Sequence, residues 1–429
     1  MRAIRILENG GPEVLSLAEM PEPVPNAGQI VVDVAAAGVN FVDTYQRIGL
    51  YPIAVPYTAG LEGAGAVTAV GDGVTDVAVG DRVAWCGGQG SYAESCALDA
   101  GGAVPVPDGI SLDTAAAAML QGLTAHYLVV DTFPLEPGHR CLIHAGAGGT
   151  GLLLIQMAKR LGAEVFTTVG TPAKGELATG AGADHVILYN EVDFAEAIVA
   201  IAGPRPLDVV YDGVGAAVFD ASLGLLRRRG TMATFGNASG PVPPIAPLRL
   251  SQEGSLFLTR PTLWDHVAER ADLLARSGDL FDWISEGMDV RIGLELPLAE
   301  AAEAHRRLEG RATTGKILLR PSPPPPAAVS KPPRSTGGRA PDQAAGPGDV
   351  VSTPVASRHG RGLVPQRPIV RIVLLLAVAG MASGIAGAVF TGGETAARDP
   401  VATRTAPSEA PPTAAPTVSE SAAPEPEAA

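Results

Sequence analysis

The segment 140–162 constrains this chain most. A short apolar run, Arg140–Ala145, leads into the glycine cluster Gly146-Ala147-Gly148-Gly149-Thr150-Gly151 and then into an apolar-periodic stretch, Leu152–Leu161, closed by Gly162. The order reads as strand, tight loop, helix. Glycines in such a loop let backbone N–H groups come close to a pyrophosphate, and the helix N-terminus adds partial positive charge. The alternation continues downstream. Strands are expected at Glu164–Val169, His185–Leu188, Leu207–Asp212 and Thr231–Phe235, separated by helices at Pro172–Thr179, Asp193–Ile201 and Ala216–Leu226. Such alternation folds into a parallel sheet with right-handed crossovers. The implied unit is a Rossmann dinucleotide-binding domain over residues 126–264, with 146–151 as its phosphate loop.

The end of the second strand selects the dinucleotide. An enzyme that takes NAD carries Asp or Glu there to hold the ribose hydroxyls. Here the strand ends Thr168-Val169-Gly170-Thr171, and Glu164 stands at its start, where it points away. Lys174 lies just beyond the strand. A cation without a carboxylate suits a 2′-phosphate, so NADPH is the expected cofactor.

Residues 1–125 have a different rhythm. Gly, Val and Ala with closely spaced turn signals suggest short strands at Arg2–Glu8, Gln29–Ala37, Gly63–Val70, Arg82–Trp85 and Tyr92–Leu98. An alanine-rich helix is expected from Ser111 to Val130. Asn40, Asp43 and Tyr45 crowd one stretch between a strand and a turn. A loop this dense in polar groups reads as part of a site; the competing explanation is turn chemistry, with Asn and Asp bonding their own backbone. Tyr211, Trp264, Trp283 and Met157 are expected in the core, and His126 and His144 as satisfied structural histidines. A helix at Ala299–Leu308 and a strand at Lys316–Leu319 complete the globular part.

Residues 1–320 carry 22 Lys and Arg against 37 Asp and Glu. A body this acidic does not attract nucleic acid or anionic lipid through its overall field. The cysteines are Cys86, Cys96 and Cys141, an odd number without a CxxC pair. A disulfide framework is therefore not expected, and a reducing compartment is. The N-terminal stretch has no apolar core of a signal peptide.

A family resemblance rests on several motifs in order. Gly60-Leu61-Glu62-Gly63-Ala64-Gly65, with Gly71 and Val74, resembles the zinc alcohol dehydrogenase signature of the medium-chain dehydrogenase/reductase superfamily. In that pattern the metal-binding His falls on Leu61 and the first Cys ligand near Asn40, so the residues expected to hold zinc are missing. The segments 37–45, 49–52, 120–125, 144–151, 209–215, 235–240, 258–261 and 311–316 are similar to the zinc-independent quinone oxidoreductases, the ζ-crystallin-like branch. The resemblance covers about residues 1–320.

It implies an α/β chain with a GroES-like β-barrel catalytic domain (1–125, completed by 265–320) joined to the Rossmann domain. It implies no metal and a quinone as substrate. Lys174 and Tyr189 would flank the 2′-phosphate. Asn40, Tyr45, Thr124, Phe235 and Asn237 would line the nicotinamide and substrate cleft, with Tyr51 at its mouth. Asn40 or Tyr45 would donate a hydrogen bond to a quinone oxygen. A homodimer is the family's common assembly. Two other readings stay open: reduction of an activated C=C bond in an enone or enal, and a protein that binds NADPH without turnover.

The remainder of the chain is of another kind. Residues 321–429 hold 19 of the 38 prolines and a single aromatic, Phe390. Residues 321–371 read as a basic, proline-rich linker, and 372–390 are 19 residues without a charge, near the length that spans a bilayer. Residues 391–429 read as a disordered acidic tail. Arginines precede the uncharged segment, so a transmembrane helix here would leave the catalytic body in the cytoplasm; a peripheral helix that does not insert is the competing reading.

Overall fold

The computed structural model describes residues 1–321; the linker, the uncharged segment 372–390 and the acidic tail lie outside the described residues. Two sheets dominate. The first has seven strands. Its path runs Ile292–Pro297, Lys316–Arg320, Gln29–Val39, Glu62–Val70, Arg82–Cys86 and Val104–Pro105, with Ser95–Asp99 also paired to Gln29–Val39. The long strand Gln29–Val39 is the spine. It takes Glu62–Val70 along most of its length and Ile317–Leu319 at its end, both antiparallel. Sequence order and sheet order therefore diverge: two strands from beyond residue 290 complete a sheet built mainly from the first hundred residues.

The second sheet has six parallel strands. Numbered along the chain they are Arg140–His144, Glu164–Val169, His185–Leu188, Leu207–Asp212, Leu226–Thr234 and Phe257–Thr259, and their spatial order is 3-2-1-4-5-6. This is the doubly wound order whose strand reversal, beside the first strand, opens a crevice at the carboxyl ends. Apolar runs such as Cys141-Leu142-Ile143 and Val209-Val210-Tyr211 are buried, as parallel strands covered on both faces must be.

The helix α2 (Leu112–Tyr127) joins the two halves. Ser111 caps it, its hydroxyl accepting from Thr114 N. The run Ala115–Ala118 is fully buried and belongs to one hydrophobic cluster with Ala64 and Ala84 of the barrel and Leu153, Leu154 and Met157 of the Rossmann domain. Alanine serves twice here. It favours helix, and its small side chain lets α2 approach both sheets. Gly122 carries this further, since a methyl group there would stand 2.7 Å from a Leu280 methyl.

Several expectations need correction. The polar stretch after Gln29–Val39 is a helix, α1 (Phe41–Arg47), with Asn40 at its N-cap. Turn-forming Asn and Asp favour helix starts as strongly as loops, and a seven-residue helix is too short to announce itself by periodicity. The helix expected at Ala216–Leu226 spans only Phe219–Leu225, and the strand after it begins at Leu226. Ser16–Glu19, Phe257–Thr259 and Ile292–Pro297 are strands the sequence did not signal. Trp264 is 39% exposed and lines the cleft, not the core. Tyr211 and Met157 are buried as expected.

Candidate active site

A cleft of roughly 900 Å³ opens between the barrel and the carboxyl edge of the Rossmann sheet. Asn40, Tyr45, Tyr51, Thr124, Ala147, Gly148, Gly149, Thr150, Gly151, Gly170, Lys174, Tyr189 and Phe235 line it. Gly146 and Asn237 do not. Gly146 lies beneath, where an added methyl group would collide with the Thr167 hydroxyl. Asn237 reaches the cleft through its bonds to the two tyrosines.

The glycine loop ends where the helix α3 (Gly149–Arg160) begins. Gly151 faces the Ala145 carbonyl at a distance no side chain would permit. The loop is thus folded tightly on itself, which presents the first amides of α3 to the cleft. Beneath the loop His144 is buried and satisfied. Ser222 Oγ donates to Val218 O, so it accepts from His144 Nε2–H at 2.9 Å, and the Thr168 hydroxyl serves Nδ1 at 2.9 Å. Burial pushes the His144 pKa down to about 3, so the ring is neutral.

At the second strand's end, Gly170 lets the Tyr189 ring lie close; a methyl group there would sit 2.8 Å from the phenol oxygen. Lys174 enters from the first turn of α4 (Pro172–Gly180), which Thr171 caps. Its ammonium donates to Arg311 O at 2.7 Å. Burial and the neighbouring Arg311 hold its pKa below the usual lysine value. Glu164 points away as expected and pairs with Arg140 and His185. Arg311 also lines this end of the cleft. Its segment resembles the family's closing motif, but the residue received no role from sequence alone.

At the other end, hydrogen bonding distinguishes the candidate catalytic groups. Asn40 is 3% exposed and its amide is already engaged: Nδ2 donates to Glu62 Oε2 at 2.8 Å and toward Gly38 O at 3.4 Å, while Oδ1 accepts from Lys316 Nζ at 2.7 Å. Lys316 and Glu62 are themselves an ion pair, 1% and 0% exposed. Glu62 Oε1 accepts from Leu120 N at 2.6 Å. The Asn40 backbone N–H goes to Asp43 Oδ2, which also takes the Tyr92 hydroxyl, each at 2.8 Å. Burial raises the Asp43 pKa to about 7. Thr124 donates its hydroxyl proton back to Leu120 O at 2.7 Å, so toward the cleft it offers only acceptor lone pairs and a methyl group.

The tyrosines are arranged differently. Tyr45 oxygen accepts from Asn237 N at 2.9 Å; Tyr51 oxygen accepts from Asn237 Nδ2 at 3.3 Å and Arg260 Nη2 at 3.1 Å. Neither phenolic O–H has a protein acceptor among the described residues. Their rings meet edge to face with centroids 5.3 Å apart. Burial raises the Tyr45 pKa to about 12, which keeps it a neutral donor.

Leu61, buried at 4%, offers no donor atom where a zinc ligand would stand. The oxygens of Asn40 and Glu62 are held by Lys316, whose charge opposes a second cation. The residues present do not fit a catalytic zinc.

Sequence reasoning also missed Glu62, Lys316 and Arg260. A charged residue inside an apolar strand was the available signal for the first two. Its weakness is that the partners stand 254 positions apart.

A GroES-like barrel and a Rossmann sheet closed on one cleft define a medium-chain dehydrogenase/reductase. Residues 26–108 match the alcohol dehydrogenase GroES-like domain family and residues 149–272 the zinc-binding dehydrogenase family. A quinone oxidoreductase of Salmonella typhimurium is 43% identical over 323 residues, covering 74% of this chain and 99% of that protein. A 2-haloacrylate reductase of Burkholderia is 41% identical, covering 74% of this chain and 98% of its own length. The crystal structure of Escherichia coli quinone oxidoreductase complexed with NADPH matches with a TM-score of 0.73 at 42% identity, covering 75% of this chain and all of that one. Within the superfamily, this chain belongs to the quinone oxidoreductase family.

Proposed function

We propose that the protein is an NADPH-dependent quinone reductase that works without zinc. The observation that carries this reading is the pair of phenols, Tyr45 and Tyr51, at the opposite end of one cleft from the phosphate loop. Each oxygen is held by protein N–H groups while its own proton stays free for a ligand. When bound, NADPH supplies the hydride.

The chain's own residues bind and align. The amides at Gly148–Gly151 hold the pyrophosphate. Lys174, Tyr189 and Gly170 shape the 2′-phosphate end, with Arg311 beside them. Phe235, Thr124 and Asn237 bound the nicotinamide end. Tyr45 donates to a quinone oxygen as negative charge develops there. Asn40 does not take that role, because both its amide protons are turned inward; it is a positioning residue at the start of α1. A quinone is electron-poor and asks for little beyond alignment at about 3–3.5 Å, which suits a site that offers hydrogen bonds and no metal.

A second reading is reduction of an activated C=C bond. The neutral Tyr45 phenol can hand a proton to the second carbon, and the relationship to the 2-haloacrylate reductase favours it. Parallel turnover of a short-chain quinone and a simple enone, with NADPH and with NADH, tests both. Quinone turnover with NADPH, cut about 100-fold in Tyr45→Phe, is the expected result. Turnover of the enone alone supports the second reading. Bound NADPH that survives both acceptors identifies a binding protein and refutes both.

Two further proposals concern assembly and location. The strand Phe257–Thr259 ends the Rossmann sheet with Phe257 55% exposed, a suitable edge for pairing with a second copy. Residues 372–390, outside the described residues, anchor a cytoplasmic catalytic body to the membrane. Among the described residues no helix is long and apolar enough to span one.

A further inference from the structure

The cleft has cations at two separate places. Lys174 and Arg311 stand at the end of the second Rossmann strand, where the 2′-phosphate accounts for them. Arg260 stands after the sixth strand. Between the second and the fifth or sixth strand lie three to four inter-strand steps, roughly 14–19 Å at the usual strand spacing. One phosphate cannot serve both places, and the pyrophosphate belongs to the loop at α3.

Arg260 is exposed to the cleft yet tightly oriented. Nη1 donates to Thr234 Oγ1 at 3.1 Å and to Gly236 O at 3.0 Å, and Nη2 to Tyr51 at 3.1 Å. These bonds consume three of its five N–H groups. None of its partners is anionic, and among the described residues no carboxylate lies within 4 Å of the guanidinium. The groups that face it are Tyr45, Tyr51, Tyr127 and the buried Asp212. Asp212 directs one oxygen to Val214 N and Gly215 N, at 2.7 and 2.9 Å; it attracts Arg260 through space without touching it, and burial raises its pKa to about 6. A guanidinium hydrogen-bonded only to neutral groups, beside two free phenolic protons, keeps donors for an anion that the non-contacting Asp212 does not satisfy.

We propose that Arg260, with Tyr51, anchors an anionic substituent on the acceptor, so that the cleft prefers quinones bearing a carboxylate or sulfonate beside the reducible ring over neutral ones of the same size. This rests on the quinone reading and adds the charge class of the substrate. The anchor sits on the tyrosine side of the cleft. It would therefore orient the acceptor relative to Tyr45 as well as bind it.

The test separates this claim from the activity. Dissociation constants of 1,4-naphthoquinone and 1,4-naphthoquinone-2-sulfonate are measured on the full-length enzyme saturated with NADP⁺, where no hydride can pass. The wild type should bind the sulfonate more tightly, and that preference should weaken as salt rises. Arg260→Gln should cut the ratio of the two constants by about tenfold, the scale of one hydrogen bond to a charged group. Arg260→Lys should keep more than half of the preference on a logarithmic scale, which a purely structural role would not produce. An equal ratio in wild type and Arg260→Gln overturns the proposal, as does failure of the sulfonate to bind. If the ratio shifts while NADPH-loaded enzyme reduces neither compound, the anion site stands and the quinone reading falls.

Discussion

Replacing Lys316 by Met isolates the buried pair beneath the cleft. Lys316 and Glu62 are 1% and 0% exposed, so solvent cannot take over the charge that remains. In Lys316→Met, Glu62 keeps Leu120 N and Asn40 Nδ2 as donors but loses its counter-ion. Removing one member of such a pair costs about 3–5 kcal/mol, because the survivor is a buried, uncompensated charge. Met fills most of the lysine's volume, which keeps the loss electrostatic rather than a cavity effect. Lys316→Met/Glu62→Gln should recover about half or more of that loss, since a neutral amide can still accept from Leu120 N and, once the freed Asn40 carboxamide turns, donate to its Oδ1. Urea unfolding of the wild type, both single variants and the double variant closes the cycle; a coupling of about 2–3 kcal/mol is expected. The kinetic signature is separate. Without the Lys316 ammonium, Asn40 Oδ1 loses its donor and the carboxamide is free to turn, so kcat falls while the KM for NADPH, set at the far end of the cleft, stays put. A Lys316→Met enzyme as stable as wild type, or one whose loss is untouched by Glu62→Gln, would refute the reasoning.

Lys174→Ala should raise the KM for NADPH about tenfold and leave that for NADH nearly unchanged, because only the 2′-phosphate meets the ammonium; an equal rise for both contradicts the assignment. His144 is held neutral with its pKa near 3, well below its unfolded value. Its contribution to stability is therefore complete above about pH 6.5 and is lost as pH falls from there toward 3, at about 1.4 kcal/mol per pH unit. His144→Gln should remove one proton from the uptake that accompanies unfolding near pH 5, measured from the pH dependence of urea midpoints. Truncation after Arg320 should release a catalytic body that stays in the supernatant, whereas the full chain should sediment with membranes; full-length protein recovered in the supernatant at ordinary salt rejects the anchor.

What the sequence disclosed follows from the range of the interactions. The phosphate loop, the first five strands of the alternation and the cation after the second strand are local patterns; the sixth strand, Phe257–Thr259, has only three residues and no periodicity to show it. Asn40 and Tyr45 were legible as neighbours of a site because they share one short stretch. Their roles were not. Whether Asn40 can donate depends on Lys316 and Glu62, 276 and 22 positions away, and whether Tyr45 has a free proton depends on Asn237, 192 positions away. Helix α1 was hidden for a different reason. Its start is written in residues that also write turns, and its seven positions complete barely two turns. Trp264 shows the limit of composition: a large ring is as useful in the wall of a cleft as in a core.

The strand Lys316–Arg320 has a consequence for how the molecule comes to exist. It closes onto Val39, Gly38 and Ala37, and it brings the ammonium that steadies Asn40. During synthesis the spine Gln29–Val39 must wait for almost three hundred further residues before this neighbour emerges. The Rossmann units, whose contacts are nearer in sequence, can form meanwhile. A nascent chain halted before residue 316 would display an open sheet edge and an untethered Asn40. Assembly of the barrel is thus tied to late translation, and reductase activity should appear only once the last strand has docked.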